Sequence, residues 1–559
     1  MIYGVTPQMI ETYGELVFRL SLNIQKRRGD PIRQLDFEQI EAQRANLGLS
    51  DSEIADRLGL TTDQARYIRV VMERRRFRRD QYRKLFDLGV GLRYRDETYV
   101  TKKEHRFGEN AMKLREAMSY DPAQVKTFVE AGWWTNDTLS SLLEQHKASS
   151  PDHPAIRLGD TVITYREFHE KVQQLAGTLQ SFGIEAGDVV AIQLPNIPEF
   201  LISYVAICSL GGVMSTIHMP YQAAEIKNLL QHNRARAVIC LSTFKEYPTA
   251  QEMLKLKDEL ETLEQVICLG PPVEGTQNLS DCIDQGDKAT IVDAPVGADP
   301  FLMLYTSGTS ASPKGVPLSY QNMISNALVG VPEHQLTADD IILSAAPFSH
   351  LFGLYSFHLA LVAGSTNLLL PAFTPPDLAA LIDSGKPTAL FTAPAHLAAG
   401  FGLGVFKDRD FSSLTLTIMS GSACPPDLFG TFKAIAPNCN MSQLWGMTEL
   451  QAGLYTRPDD PLDIAAHYAG RPSPGTEARL VSATGEMLGA GEEGELEVRG
   501  CSVFPGYFDN DAANADAFSD DGWFRSGDLA VMDEAGNIKL VGRVKDIINR
   551  GGVKFNPLD

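Results

Sequence analysis

Residues 305–316 read YTSGTSASPKGV and follow directly on the apolar run FLML. Seven of the ten residues from Thr306 to Gly315 are glycine or carry a small hydroxyl. Small side chains let backbone N–H groups approach an anion closely, and hydroxyls add further donors. Lys314 adds a mobile positive charge. This is the chemistry of a phosphate cradle, but not of the common phosphate loop. The GxxxxGK[ST] pattern needs a glycine immediately before its lysine; here Pro313 stands there, and Gly315 follows the lysine instead. Taken alone, the stretch reads equally as a Ser/Thr-rich surface loop.

The elements around it are those of an α/β protein. DVVAIQL, RAVICL, EQVICLG, IILSAAP, TNLLLP and TALFTAP are apolar and strand-sized, with helix-sized segments between them as far as about residue 440. Such alternation implies parallel sheets covered by helices, and its length suggests two sheets. Before it, Leu139, Leu142 and Leu143 form one helical face, and AIRL and VITY form short strands turning at Gly159 and Asp160. Residues 96–135 read as a polar connector with short helices. After 440, TEARLVSATGEML, GEEGELEVRG and LAVMDEAGNIKLVGR read as short strands with glycine-rich turns, a small antiparallel or barrel-like piece.

Further motifs follow in order: APFSHLFGLY (346–355), GSACPPDL (421–428), LWGMTEL (444–450), GELEVRGCSVFPGYF (494–508), GWFRSGDLA (522–530) and VGRVKDII (541–548). With the opening stretch, this set resembles the adenylate-forming superfamily of acyl-CoA synthetases, luciferases and peptide-synthetase adenylation domains, and it is closest in character to the acyl-CoA ligases. The resemblance covers about residues 130–559. Ser310 and Ala311 replace a Thr and a Gly of the family's phosphate loop, and Trp445 replaces a Tyr.

The resemblance implies an ATP-dependent acid–CoA ligase that forms an acyl-AMP with loss of pyrophosphate and then passes the acyl group to CoA. ATP, Mg²⁺ and CoA are the implied cofactor and co-substrates. Residues 306–314, among them Thr306, Ser307, Gly308, Thr309, Ser310 and Lys314, would hold the β- and γ-phosphates. Thr448 would donate to the α-phosphate, and Glu449 would offer Mg²⁺ the hard oxygen it prefers. Asp528 would accept from the ribose hydroxyls and Arg543 would donate to the ribose. Gly421, Ser422 and Ala423 would border nucleotide and acyl group, with Leu444 and Gly446 beside them. Trp445 offers a flat face to adenine, or is a plain core aromatic. His350 would line the carboxylate site and move when CoA enters. Leu351, Phe352, Gly353 and Leu354 border an acyl pocket or are core. The PFSH stretch offers no acid to pair with a substrate ammonium, and a buried unpaired charge is costly. A fatty, cyclic or aromatic acid is therefore favoured over an amino acid.

Relatives in this superfamily continue past GGVKFNPLD with a small mobile domain whose lysine bridges the carboxylate and the α-phosphate. Lys545 aligns with the hinge, not with that lysine. On this reading the mobile domain is missing, and the chain binds ATP and adenylate but adenylates poorly. Losing such a group costs on the order of 10²–10³ in rate.

The front of the chain differs from its body. Residues 1–120 carry 23 Lys+Arg against 18 Asp+Glu, whereas the whole chain has net charge −20. The SDSE and TTDQ capping patterns flank IADRLGL, with Gly59 placed to turn the chain, and ARYIRVVMERRRFRRDQYRK follows with nine basic residues. The pattern within 34–85 is helix-turn-helix-like and would suit DNA or a protein partner. It supports an alternative reading, a regulator or scaffold that senses a nucleotide or acyl-adenylate. The expected organisation is a helical module over 1–120, two α/β subdomains over 121–440, a β-rich subdomain over 441–544, and a hinge with the start of a truncated domain over 545–559.

The seven cysteines form no CxxC pair and no zinc-spaced cluster, which suits a reducing compartment and a cytoplasmic protein. The apolar run 201–217 contains Gly-Gly and is too short for a comfortable membrane span. It reads as a core helix turning into a buried strand. A homodimer is left open.

Overall fold

The computed structural model describes residues 109–291, 294–306 and 314–544, with the short strands Ile548–Arg550 and Val553–Phe555. All of them lie within one compact unit, Thr101–Asp559. The helix-turn-helix reading of 34–85, the loop residues Ser307, Gly308, Thr309 and Ser310, and Lys545 fall outside the described residues.

Two large sheets carry the fold. The first has seven strands in the order Gln277–Asn278, Gln265–Leu269, Ala237–Leu241, Val189–Gln193, Val213–Thr216, Pro300–Thr306 and Lys314–Ser319. Its pairs are parallel except the last, an antiparallel hairpin. The second has nine strands, ordered Arg471–Pro472, Leu454–Tyr455, Asn440–Trp445, Leu416–Met419, Ala389–Thr392, Ile341–Ser344, Thr366–Leu368, Pro154–Leu158 and Thr161–Thr164. It is parallel through its centre and antiparallel at both edges. The central strands are buried along their length, which is why they read as continuous apolar runs rather than alternating ones.

Strand order reverses about Val189–Gln193 in the first sheet and about Ile341–Ser344 in the second. Crevices open beyond the carboxyl ends of such strands. Two helices are buried on nearly every side. Pro198–Ser209 leaves only Glu199 outside the buried set, and ten of the thirteen residues of Leu351–Ala363 are buried. The second helix ends at Gly364, whose φ of 76° suits glycine at that cap position. The run 201–217 is a helix, a turn at Gly211 (φ 76°) and a buried strand.

The antiparallel piece is an open four-stranded meander, Thr476–Val481, Glu493–Gly500, Phe524–Met532 and Ile538–Arg543, rather than a closed barrel: its first and last strands are not paired. Texture changes in the sequence after 440, but Asn440–Trp445 still runs parallel to Leu416–Met419 in the nine-stranded sheet. Within the connector, the helices Glu109–Glu116 and Pro122–Glu130 form, and Leu114 is fully buried in the core. All seven cysteines are buried and free. Among the described residues no helix is long and apolar enough to cross a membrane.

Candidate active site

The glycine- and hydroxyl-rich stretch is flanked by two paired antiparallel strands, Pro300–Thr306 and Lys314–Ser319. Thr306 and Lys314 face each other in register across the antiparallel pair, so the strands bring together the two ends of the loop. The segment Phe504–Phe508 clamps this hairpin to the WGMTEL turn. The Phe508 N–H donates to the Gly315 carbonyl (2.9 Å) and the Phe504 N–H to the Glu449 carbonyl (2.7 Å). Between them, the Tyr507 hydroxyl donates to Glu449 Oε1 at 2.8 Å, and the Lys314 ammonium lies 4.5 Å from the Tyr507 ring centroid. Lys314 and Glu449 are thus joined through one aromatic side chain.

Glu449 is only 4% exposed. Burial pushes its carboxyl above the usual range, while the Tyr507 bond and the charges of Lys314 and Arg543 pull the other way. Thr448 beside it is half-buried in the same turn. Gly446 is required there, because a Cβ would run into the Gln451 carbonyl.

Asp528 and Arg543 are cross-strand partners in the small sheet, and Arg543 Nε lies 3.0 Å from Asp528 Oδ1. The Trp445 indole N–H donates to the other oxygen, Oδ2, at 2.8 Å. Burial raises the Asp528 carboxyl, opposed by its bonds to Trp445 and Arg543. Trp445 is 7% exposed and packs in the main core, with Leu444 buried next to it. Its ring packs in the core and its polar edge fixes a carboxylate. Gly421, Ser422 and Ala423 form an exposed loop after Leu416–Met419, with Gly421 at φ 94°.

His350 stands at the N-cap position of Leu351–Ala363 without a side-chain capping bond and is exposed; the protein packed around it still lowers its pKa. Its ring stacks on His218, with centroids 4.2 Å apart. Leu351, Gly353 and Leu354 are buried and Phe352 is partly buried, so they belong to the helix core.

Among the described residues no three His, Cys, Asp or Glu side chains are grouped to hold a metal alone. A Mg²⁺ that arrives on nucleotide phosphates needs only one or two protein carboxylates. Glu449 fits that role: Oε1 is engaged by Tyr507, and Oε2 remains to offer. Sequence reasoning missed Tyr507 and His218. Tyr507 stood in a quoted motif, but nothing local shows where its hydroxyl points.

A family model described as AMP-binding enzyme matches residues 143–508. The chain is 29% identical over 455 residues to the medium-chain fatty-acid–CoA ligase of Escherichia coli, covering 80% of this chain and 79% of that protein. It is 31% identical to the salicyl-AMP ligase / salicyl-S-ArCP synthetase of Mycobacterium tuberculosis, covering 76% of each. Among solved structures, the anthranilate CoA ligase AuaEII in complex with anthranoyl-AMP superposes with a TM-score of 0.70 at 25% identity, covering 76% of this chain and 81% of that one. With its motifs in order and its parallel-rich architecture, the chain belongs to the AMP-binding enzyme family, the adenylate-forming superfamily, as an AMP-forming acid–thiol ligase.

Proposed function

We propose that this chain joins a carboxylic acid to the α-phosphate of ATP, releasing pyrophosphate, and transfers the acyl group to the thiol of CoA. The observation that carries the reading is the convergence of Lys314, Glu449 and Tyr507 from three separated motifs. Joining a carboxylate to a phosphate brings two anions together, so donors and a counter-ion are needed where charge accumulates. The hairpin loop and Lys314 hold the outer phosphates, and Thr448 donates to the α-phosphate. Glu449 holds Mg²⁺, which when bound neutralises phosphate charge. Asp528, oriented by Trp445 and Arg543, uses its remaining lone pairs for the ribose hydroxyls. Gly421–Ala423 border the nucleotide.

The acid is a fatty, cyclic or aromatic one without an α-amine. No carboxylate stands among Pro347, Phe348, Ser349 and His350 to pair with an ammonium. The apolar helix Leu351–Ala363 behind His350 suits an apolar acyl group. The test is pyrophosphate release with ATP, Mg²⁺ and a panel of fatty, cyclic, aryl and amino acids, with and without CoA. The expected result is turnover with an apolar acid and thioester formation when CoA is added. Turnover confined to amino acids contradicts the substrate class, and no pyrophosphate with any acid contradicts the reaction.

A further inference from the structure

Loops that follow strands of the two large sheets meet at a pair of histidines, and buried polar groups bring them together. Beyond Val189–Gln193, Asn196 donates from Nδ2 to the Ala346 carbonyl (3.0 Å) and accepts at Oδ1 from the Phe348 N–H (2.8 Å). That side chain, 4% exposed, ties the first sheet to the loop leading into His350. Gln193, 2% exposed, donates from Nε2 to the carbonyls of His218 (3.1 Å) and Tyr221 (3.0 Å), fixing the loop after Val213–Thr216. Thr216 Oγ1 donates to the Ser349 carbonyl at 3.0 Å. Side chains at the ends of two strands thus set two loops from different sheets against each other.

On these loops the imidazoles of His218 and His350 lie 4.2 Å apart at 27° between planes. Nδ1 of His218 is 2.9 Å from the Ser349 hydroxyl, one residue before His350. Tyr221 meets His218 edge-on at 5.1 Å. The titratable groups facing the pair are each other's ring and Tyr221; among the described residues no carboxylate or ammonium contributes to the balance of either ring. Two stacked imidazoles so close, with no counter-charge, do not both carry a proton. Burial first, and the neighbouring His350 second, hold His218 down to about 4, and burial lowers His350.

We propose that His218 is the positioning residue for His350, holding its ring neutral and oriented at the crevice to take the proton of the incoming thiol. The inference rests on the ligase reading above. In the transfer step the thiol sulfur forms a bond to the acyl carbon. The acyl–oxygen bond breaks and its electron pair leaves on the phosphate oxygen of AMP. The S–H proton passes to a ring nitrogen of His350. An imidazolium accepts no proton, so a flat neutral neighbour that excludes water from one face of His350 keeps the acceptor competent at mildly acid pH.

The experiment uses the full chain with ¹³Cε1-labelled histidine, wild type, His218→Ala and His218→Phe. The His350 resonance is titrated, and single-turnover transfer from a pre-formed acyl-adenylate to CoA is followed across pH. In the wild type, His350 is expected to titrate below 6.5. In His218→Ala its titration moves up toward that value, the acid limb of transfer moves with it, and transfer at pH 6 slows by up to about fourfold. The loss exceeds any loss in pyrophosphate release. His218→Phe keeps a stacking face and restores both profiles toward wild type, which a merely structural role would not do. An unchanged His350 titration and acid limb in a folded His218→Ala overturn the proposal. A wild type that forms no thioester overturns the ligase reading and the thiol role with it, while the titration reports on the pairing separately.

Discussion

The two sides of the candidate site are built from opposite materials. The nucleotide side is a chain of charges: Lys314 over Tyr507, Tyr507 on Glu449, and Arg543 and Trp445 on Asp528. The proposed acid side carries a neutral histidine pair, with further neutral histidines in and beside the helix that follows it. His350 and His218 stack on each other; His358, in the buried helix behind them, pairs with Tyr204 at 2.9 Å, and His334 pairs with Tyr355 of that helix at 3.3 Å. Burial lowers the pKa of all four. ATP brings several negative charges and has to be met by donors and a cation. An apolar acid brings one carboxylate and a tail, and fixed charges near the tail would go unpaired. The contrast teaches that one side is specified by charge placement and the other by shape and by imidazoles kept uncharged.

The contrast breaks most visibly at Glu449. Glu449→Gln keeps the shape and removes the charge, and is expected to lower kcat for Mg·ATP-dependent pyrophosphate release by about 10²–10³. Turnover within a few-fold of wild type would remove the carboxylate from the site. Next comes Tyr507→Phe, which retains the ring beneath Lys314 but deprives a buried carboxylate of its donor. Charge-assisted bonds of this kind contribute about 1.5–3 kcal/mol, so a roughly 10–100-fold fall in kcat/KM for ATP is expected. An equal fall in a half-reaction that needs no nucleotide phosphates would reduce Tyr507 to a packing residue.

Trp445→Phe tests the other end. It preserves an aromatic core residue and deletes the N–H to Asp528 Oδ2. This bond too is charge-assisted, but Asp528 keeps its partner Arg543, so the low end of about 1.5–3 kcal/mol applies and the KM for ATP should rise by about tenfold with kcat little changed. An unchanged KM would make the bond incidental to ribose binding.

The smallest effect reads the acid side through stability. Burial holds His334 and His358 down to about 3, with the Arg457 charge adding to the effect at His334. Well above pH 6.5, at about pH 8 and higher, both rings are neutral whether the chain is folded or not, and their contribution is fully present. As pH falls, the unfolded chain takes up protons that the buried rings refuse until about 3, so stability is lost progressively across that window. Between pH 7.5 and 6.5 the loss is about 0.5–1 kcal/mol for the two rings together, read from denaturant midpoints. A stability that rises on acidification through this range would contradict their burial as neutral groups.

The residues proposed for the nucleotide side were easier to single out from the sequence, because they sit on short motifs whose local geometry is set by glycine turns and strand ends. Thr306 and Lys314 face each other because a hairpin joins them, and Asp528 faces Arg543 because neighbouring antiparallel strands pair them. The parallel sheets were legible for a similar reason: fully buried strands must be apolar throughout. What could not be read were side-chain bonds between distant segments. Trp445 meets Asp528 across 83 residues, and Tyr507 meets Glu449 across 58. Neither leaves a periodicity or a spacing, since the partner is chosen by packing. For Trp445, adenine platform or core aromatic, the sequence gives no sign of its burial or of its bonded N–H. The His218–His350 stack joins two sheets whose mutual placement no local pattern states. The antiparallel pairing of the small sheet follows from its turn signals, which mark strands but leave closure open.

The central claim is that the residues from Thr306 to Arg543 gather around a single Mg·ATP, and titration calorimetry of the full chain tests it most directly. The expected result is one ATP bound per chain, dependent on Mg²⁺, displaced by AMP, and weakened at least about tenfold when Glu449→Gln and Asp528→Asn are combined. A folded sample with no nucleotide affinity, or with an affinity that the double variant leaves unchanged, would contradict the account.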